Sequence, residues 1–109
     1  MAFLLGYGSA LEWLRMADDE QLSAQVFGLS PLSLESGKLR LNRYLKRLST
    51  LTQPLQLVVA FSANRRPSAV ACCHAVSLPY EDYHGLRITR GLYCSTPALT
   101  FLQMASVLD

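Results

Sequence analysis

The tripeptide Cys72-Cys73-His74 sets three potential metal ligands in succession, and Cys94 and His84 are the remaining thiol and imidazole of the chain. A structural zinc site needs about four ligands, with its pairs two to four residues apart on turns that let both side chains converge. Consecutive strand residues alternate faces, so Cys73 points away from Cys72 and His74. Cys94 could approach across a sheet, but the set then stays one ligand short unless His84 moves in. Small buried thiols in a core strand are the better explanation, and neither a metal nor another cofactor is expected.

Other chemistries find less. A reactive cysteine needs a base beside it, and His74, the neighbour of Cys73, faces the other side of a strand. His84 lies close in sequence to Glu81 and Asp82, the ordinary surroundings of a solvated loop histidine. Gly6-Tyr-Gly8 precedes a helix whose terminus would attract an anion. It lacks a third glycine in register, a preceding strand of useful length and a Lys-Ser/Thr pair, so the glycines are read as geometry for starting the helix. The eight acidic residues are scattered and do not form the carboxylate cluster of a metal-dependent nuclease. A small enzyme using Cys73 or His84 is the weakest of three functional readings, and no catalytic residue is expected.

Charge is distributed more tellingly. Residues 38–66 hold seven basic side chains (Lys38, Arg40, Arg43, Lys46, Arg47, Arg65 and Arg66) and no acid. Arg40, Arg43, Lys46 and Arg47 share one helical face, the geometry a phosphate backbone reads. The ordinary alternative is the solvated face of an amphipathic helix. Residues 91–108 are the opposite case, with no charge at all. Their helix puts Leu99, Gln103 and Val107 opposite the Phe101–Leu108 face, and a helix apolar nearly all round is buried on both sides. Leu99, Gln103 and Val107 are therefore the expected partner surface, for a further domain of the same chain or for a second copy.

The elements that would position these residues follow from periodicity and breakers. Ser9-Ala-Leu-Glu12 has the form of a capping box opening a first helix, and the acidic run 18–20 interrupts it. Residues 21–37 are loop with room for one helical turn. A second helix spans residues 39–51, with Leu41, Tyr44, Leu45, Leu48 and Leu51 on one face, and ends before Pro54. Residues 55–61 and 69–76 are strands joined as a hairpin with a loose loop; residues 86–89 and 92–95 form a second hairpin around Arg90-Gly91. Ser95 or Thr96 caps a last helix with Pro97 in its first turn. The expected fold is α+β: a small, mainly antiparallel sheet of about four strands in two hairpins, packed with two to three helices.

Composition sets the outer limits. In 109 residues there is one domain's worth of chain, 50% hydrophobic and 17% charged, with a net charge of +2. That excludes intrinsic disorder, and no apolar run reaches the roughly 18 residues that cross a bilayer. No membrane partner is expected. The N-terminal residues have no cationic start of the kind a signal peptide carries, and three cysteines make no complete disulfide framework. A reducing, cytoplasmic location fits. So few charges on so small a body imply a fragment of a longer protein, or a surface that meets a partner.

Two segments resemble AbiEi-like proteins of bacterial type IV toxin–antitoxin systems. Leu4-Leu-Gly-Tyr-Gly-Ser-Ala-Leu-Glu-Trp-Leu-Arg15 is similar to that family's helix following a short strand. The stronger likeness is His74-Ala-Val-Ser-Leu-Pro79 with Leu86-Arg-Ile-Thr-Arg-Gly-Leu-Tyr-Cys-Ser-Thr-Pro-Ala-Leu-Thr-Phe-Leu-Gln-Met-Ala105, which looks like its small hairpin running into a Ser-Pro or Thr-Pro capped helix. Relatives of this arrangement stand upstream of very-short-patch-repair-like nuclease domains. The likeness covers about half the chain; the family's winged-helix part and the nuclease domain are not visible. It implies a non-catalytic accessory or regulatory domain of a DNA-linked protein and carries over no catalytic residue; the basic face is then expected to contact the phosphate of duplex DNA. A protein-interaction or oligomerisation module without nucleic-acid binding is the alternative.

Overall fold

A computed structural model describes residues 2–23, 25–30, 34, 44–59, 71–79 and 82–107. Six strands form one mixed sheet: β1 (Phe3–Leu5), β2 (Val26–Gly28), β3 (Leu55–Val59), β4 (Ala71–Ala75), β5 (His84–Thr89) and β6 (Leu92–Ser95), in the order β2-β5-β6-β1-β3-β4. Among the described residues three helices accompany them: α1 (Tyr7–Met16), α2 (Asp19–Leu22) and α3 (Pro97–Val107). The fold is α+β, with two strands more than the sequence pattern yields.

Both added strands are three residues long, too short to show a period of two. β1 lies at the centre of the sheet, parallel to β6 and antiparallel to β3. Its three side chains are all buried, because core covers both faces of the sheet there. β2 is an edge strand on β5, cut from a polar stretch that carries no alternation.

The hairpin expected of β3 and β4 is instead a parallel pair, with Leu55 beside Ala71 and Val59 beside Ala75. Strand composition does not distinguish the two pairings; the connection does, and a loose polar connection lacks the tight-turn residues of a hairpin. The second hairpin is present: β5 and β6 are antiparallel and Gly91, at φ 80°, makes the turn. No Cβ crowds that left-handed conformation.

Alternation along the strands sorts the core onto two faces. Phe3, Leu5, Leu57, Leu92 and Cys94 pack with Ala10 and Trp13 of α1 and with Leu48 and Leu51. Leu4 and Val58 face the other way, toward Leu99 of α3, Tyr7, Tyr83 and Leu34. Residues 44–50 run as successive turns, the Leu48 N–H donating to the carbonyl of Tyr44 at 3.0 Å. The first part of the expected second helix, with Arg40 and Arg43, lies outside the described residues, as does the 60–70 span that holds Arg65 and Arg66.

Capping differs from the sequence pattern. α1 starts at Tyr7, so Ser9 falls inside its first turn; its hydroxyl accepts the Gln56 N–H at 2.7 Å, tying α1 to β3. Glu12 accepts from the N–H and hydroxyl of Thr52. The capping box belongs to α2 instead. The Asp18 carboxylate accepts the Gln21 backbone N–H at 2.8 Å, and the Gln21 side-chain Oε1 accepts the Asp18 N–H at 2.9 Å. At α3 the expectation holds: Thr96 caps through its hydroxyl, which accepts the Leu99 N–H at 3.3 Å, and Pro97 opens the helix.

Candidate interaction surface

β1 and β6 are parallel neighbours, and each leads within a residue or two into a helix. Both helices therefore leave the same end of the sheet and pack on each other. The joint between them is polar. Tyr7, at φ 54°, directs its N–H to the side-chain oxygen of Gln103, 2.9 Å away and only 2% exposed. That carboxamide caps α1 from α3. Its Nε2 has no hydrogen-bond partner among the described residues. Gly6 makes the approach possible, because a Cβ there would stand 2.7 Å from Val58 and 3.0 Å from Gln103.

The ring of Tyr7 stacks on His74 at 4.1 Å between centroids. Burial raises the Tyr7 phenol above its ordinary value; hydrogen bonding to Ser77 opposes that, the neighbouring Tyr83 adds to it, and Ser106 opposes it again. His74 Nε2 contacts Gln56 Oε1, and Cys72 Sγ lies 3.9 Å from the same nitrogen. Cys72 and His74 share a face, as strand alternation requires, while Cys73 packs against the core on the other side. Cys94 is on that other side too, but β1 and β3 stand between β6 and β4. Three strand spacings are roughly 14 Å, so Cys94 does not come within reach of Cys72 or Cys73. Its thiol donates to the Ala10 carbonyl at 3.7 Å, and burial pushes its pKa up to about 12. No three His, Cys, Asp or Glu side chains among the described residues are arranged to hold a metal ion. His84 opens β5 as an exposed residue.

Outside this joint lies an apolar groove of about 460 Å³ between α1 and α3, walled by Leu11, Leu14, Arg15, Leu22, Phe101 and Met104. Phe101 is 72% exposed at its rim, and Leu102 and Val107 are exposed further along α3. No family model, curated protein or solved structure matches this chain. What the groove does has to be argued from its own geometry.

The structure corrects the partner surface inferred from sequence. Leu99 is 1% and Gln103 2% exposed; both face the sheet, and of the three named residues Val107 alone is exposed. The two faces of α3 are exchanged. Leu99 and Gln103 of the expected partner face are buried, and Phe101 of the expected inward face is exposed. The buried amide of Tyr7 accounts for this, because that N–H needs an acceptor inside the fold. The signal in the sequence was positional: Gln103 is the polar residue four places after Leu99, on the core face.

Of the basic residues, Lys46 and Arg47 are exposed on the 44–50 turns. Tyr44 holds those turns to the β5–β6 hairpin, its hydroxyl donating to the Arg90 carbonyl at 2.8 Å and its ring edge-on to Phe3 at 5.7 Å. Arg47 also lines a small pocket with Trp13, Met16 and Gln21. No helix among the described residues is long and apolar enough to cross a membrane.

Proposed function

We propose that this chain is a non-catalytic docking module that binds a polypeptide in the groove between α1 and α3. The observation that carries the reading is Phe101: a large aromatic side chain, 72% exposed, beside an apolar groove and on a segment without charge. Exposed aromatics next to a concave apolar surface are the usual anchors of protein interfaces. Selection from a displayed library of amphipathic helical peptides tests the proposal. Binders are expected that lose affinity on Phe101→Asp and keep it on Lys46→Glu. A library without binders, or binders indifferent to Phe101→Asp, overturns the reading.

A second reading, contact with duplex DNA phosphate, is favoured by one observation: Lys46 and Arg47 are exposed on turns fastened by Tyr44 to the hairpin that carries Arg90. Arg40, Arg43, Arg65 and Arg66, the other basic residues of this reading, lie outside the described residues. The resemblance to AbiEi-like proteins points the same way, toward an accessory domain in a DNA-linked bacterial protein. The salt dependence of duplex binding tests this reading.

A further inference from the structure

We infer that the occupant of the groove is a second copy of this chain, packed through α3 about a two-fold axis between Phe101 and Leu102. The inference rests on the docking reading and names its partner. Ala98, Phe101, Leu102 and Ala105 are all exposed, and their spacing puts them in one stripe along the outer face of α3. The stripe reads the same in both directions about its midpoint: small, large, large, small. When two such helices lie antiparallel, Ala98 meets Ala105 of the second copy and Phe101 meets its Leu102. Small residues at both ends let the axes approach closely enough for the central pair to interlock.

Charge and area favour the same partner. A two-fold interface places a surface patch against itself, so a patch of one sign of charge repels its copy. The stripe carries no charge; Arg15, the one charged side chain of the groove wall among the described residues, lies on α1 and not on the stripe that the axis crosses. A specific interface needs about 500 Å² from each partner, and α3, with 11 residues, is only about 16 Å long. The helix alone is too small, so the groove must take part. It is shaped to do so. Phe101 of each copy projects at the rim, and a cavity of about 150 Å³ accommodates an aromatic ring, against about 460 Å³ in the groove. The same face thus carries both the knob and the hole.

Sedimentation equilibrium of the whole chain, over roughly 1 µM to 1 mM, tests the proposal. The mass is expected to double with concentration. Phe101→Asp and Leu102→Lys should each raise the dissociation constant by about 30-fold or more; both side chains are exposed, so the fold tolerates the changes. Mixing the two variants should restore association, because the introduced charges are opposite and meet across the axis. A monomeric mass throughout, a dimer untouched by both variants, or loss without rescue in the mixture overturns this packing. If the chain stays monomeric while helical peptides still bind in a Phe101-dependent way, the second copy is rejected and the docking reading stands.

Discussion

Gln103 and Cys94 show how single buried polar groups are tied to this fold. The Gln103 carboxamide provides the acceptor for the Tyr7 N–H, and an amide left buried without one costs about 1–3 kcal/mol. Gln103→Leu is therefore expected to lower unfolding stability by about that amount in urea titration. A variant as stable as the wild type would show that the cap contributes nothing. Cys94 gives a pH dependence whose sign is fixed. Its thiol ionises at about 12 in the folded chain against 9.0 ordinarily. Between those values the unfolded chain releases a proton that the folded chain keeps. Stability from this group is thus complete below pH 9 and falls as pH rises toward 12, at up to about 1.4 kcal/mol per pH unit. The raised Tyr7 phenol acts in the same direction above its ordinary value of 10.0. Thermal melts between pH 8 and 11 should show a steeper decline for the wild type than for Cys94→Ala; parallel slopes would remove Cys94 as the cause.

Helix α3 decides most at the level of elements, because its orientation fixes which surface is free. Leu99→Ala is expected to cost about 2–5 kcal/mol, the range for a buried leucine. Phe101→Ala should leave the unfolding free energy of the monomer nearly unchanged. Equal costs would contradict the orientation. The boundaries of α3, its Thr96 cap and the β5–β6 hairpin were legible because each is written locally, in Thr-Pro and in Arg90-Gly91. The face of α3 was not, since an apolar helix with a single internal Gln has no polar stripe to orient it. The Ser9–Glu12 capping pattern misled for a related reason: both side chains had tertiary partners, in Gln56 and Thr52, that outweighed local capping. Periodicity does not find β1 although it is the centre of the sheet; only the resemblance implied a short strand ahead of the first helix. A three-residue strand buried on both faces has no alternation to detect, and the parallel pairing of β3 with β4 is a property of the whole topology.

Among the described residues, the exposed basic turns and the exposed apolar stripe are carried by different elements. Lys46 and Arg47 sit on turns that pack with the core face of Phe3 and Leu5, whereas the exposed stripe of α3 belongs to a helix whose Leu99 seals the opposite face of the sheet. Of the candidate sites, the basic one was visible in the sequence as a run without acids, and the apolar one as a run without charge. The groove was not, because it exists only where two helices leave the same end of the sheet. The basic turns and the α3 stripe share no side chain and should behave additively. Lys46→Glu with Arg47→Glu is expected to weaken duplex DNA binding and to lower the slope of log affinity against log salt by about 2, one for each phosphate no longer neutralised. The same pair should leave self-association unchanged, and Phe101→Asp should do the reverse. Fluorescence anisotropy with a duplex at several salt concentrations, run beside sedimentation, checks both arms. An absence of binding at low salt, or a slope the charge reversals do not alter, removes the phosphate interaction. If Phe101→Asp weakens DNA binding as strongly as it weakens association, the two surfaces are coupled: the duplex then reads a dimer that presents two basic patches, and the affinity of the monomer alone is too low to matter.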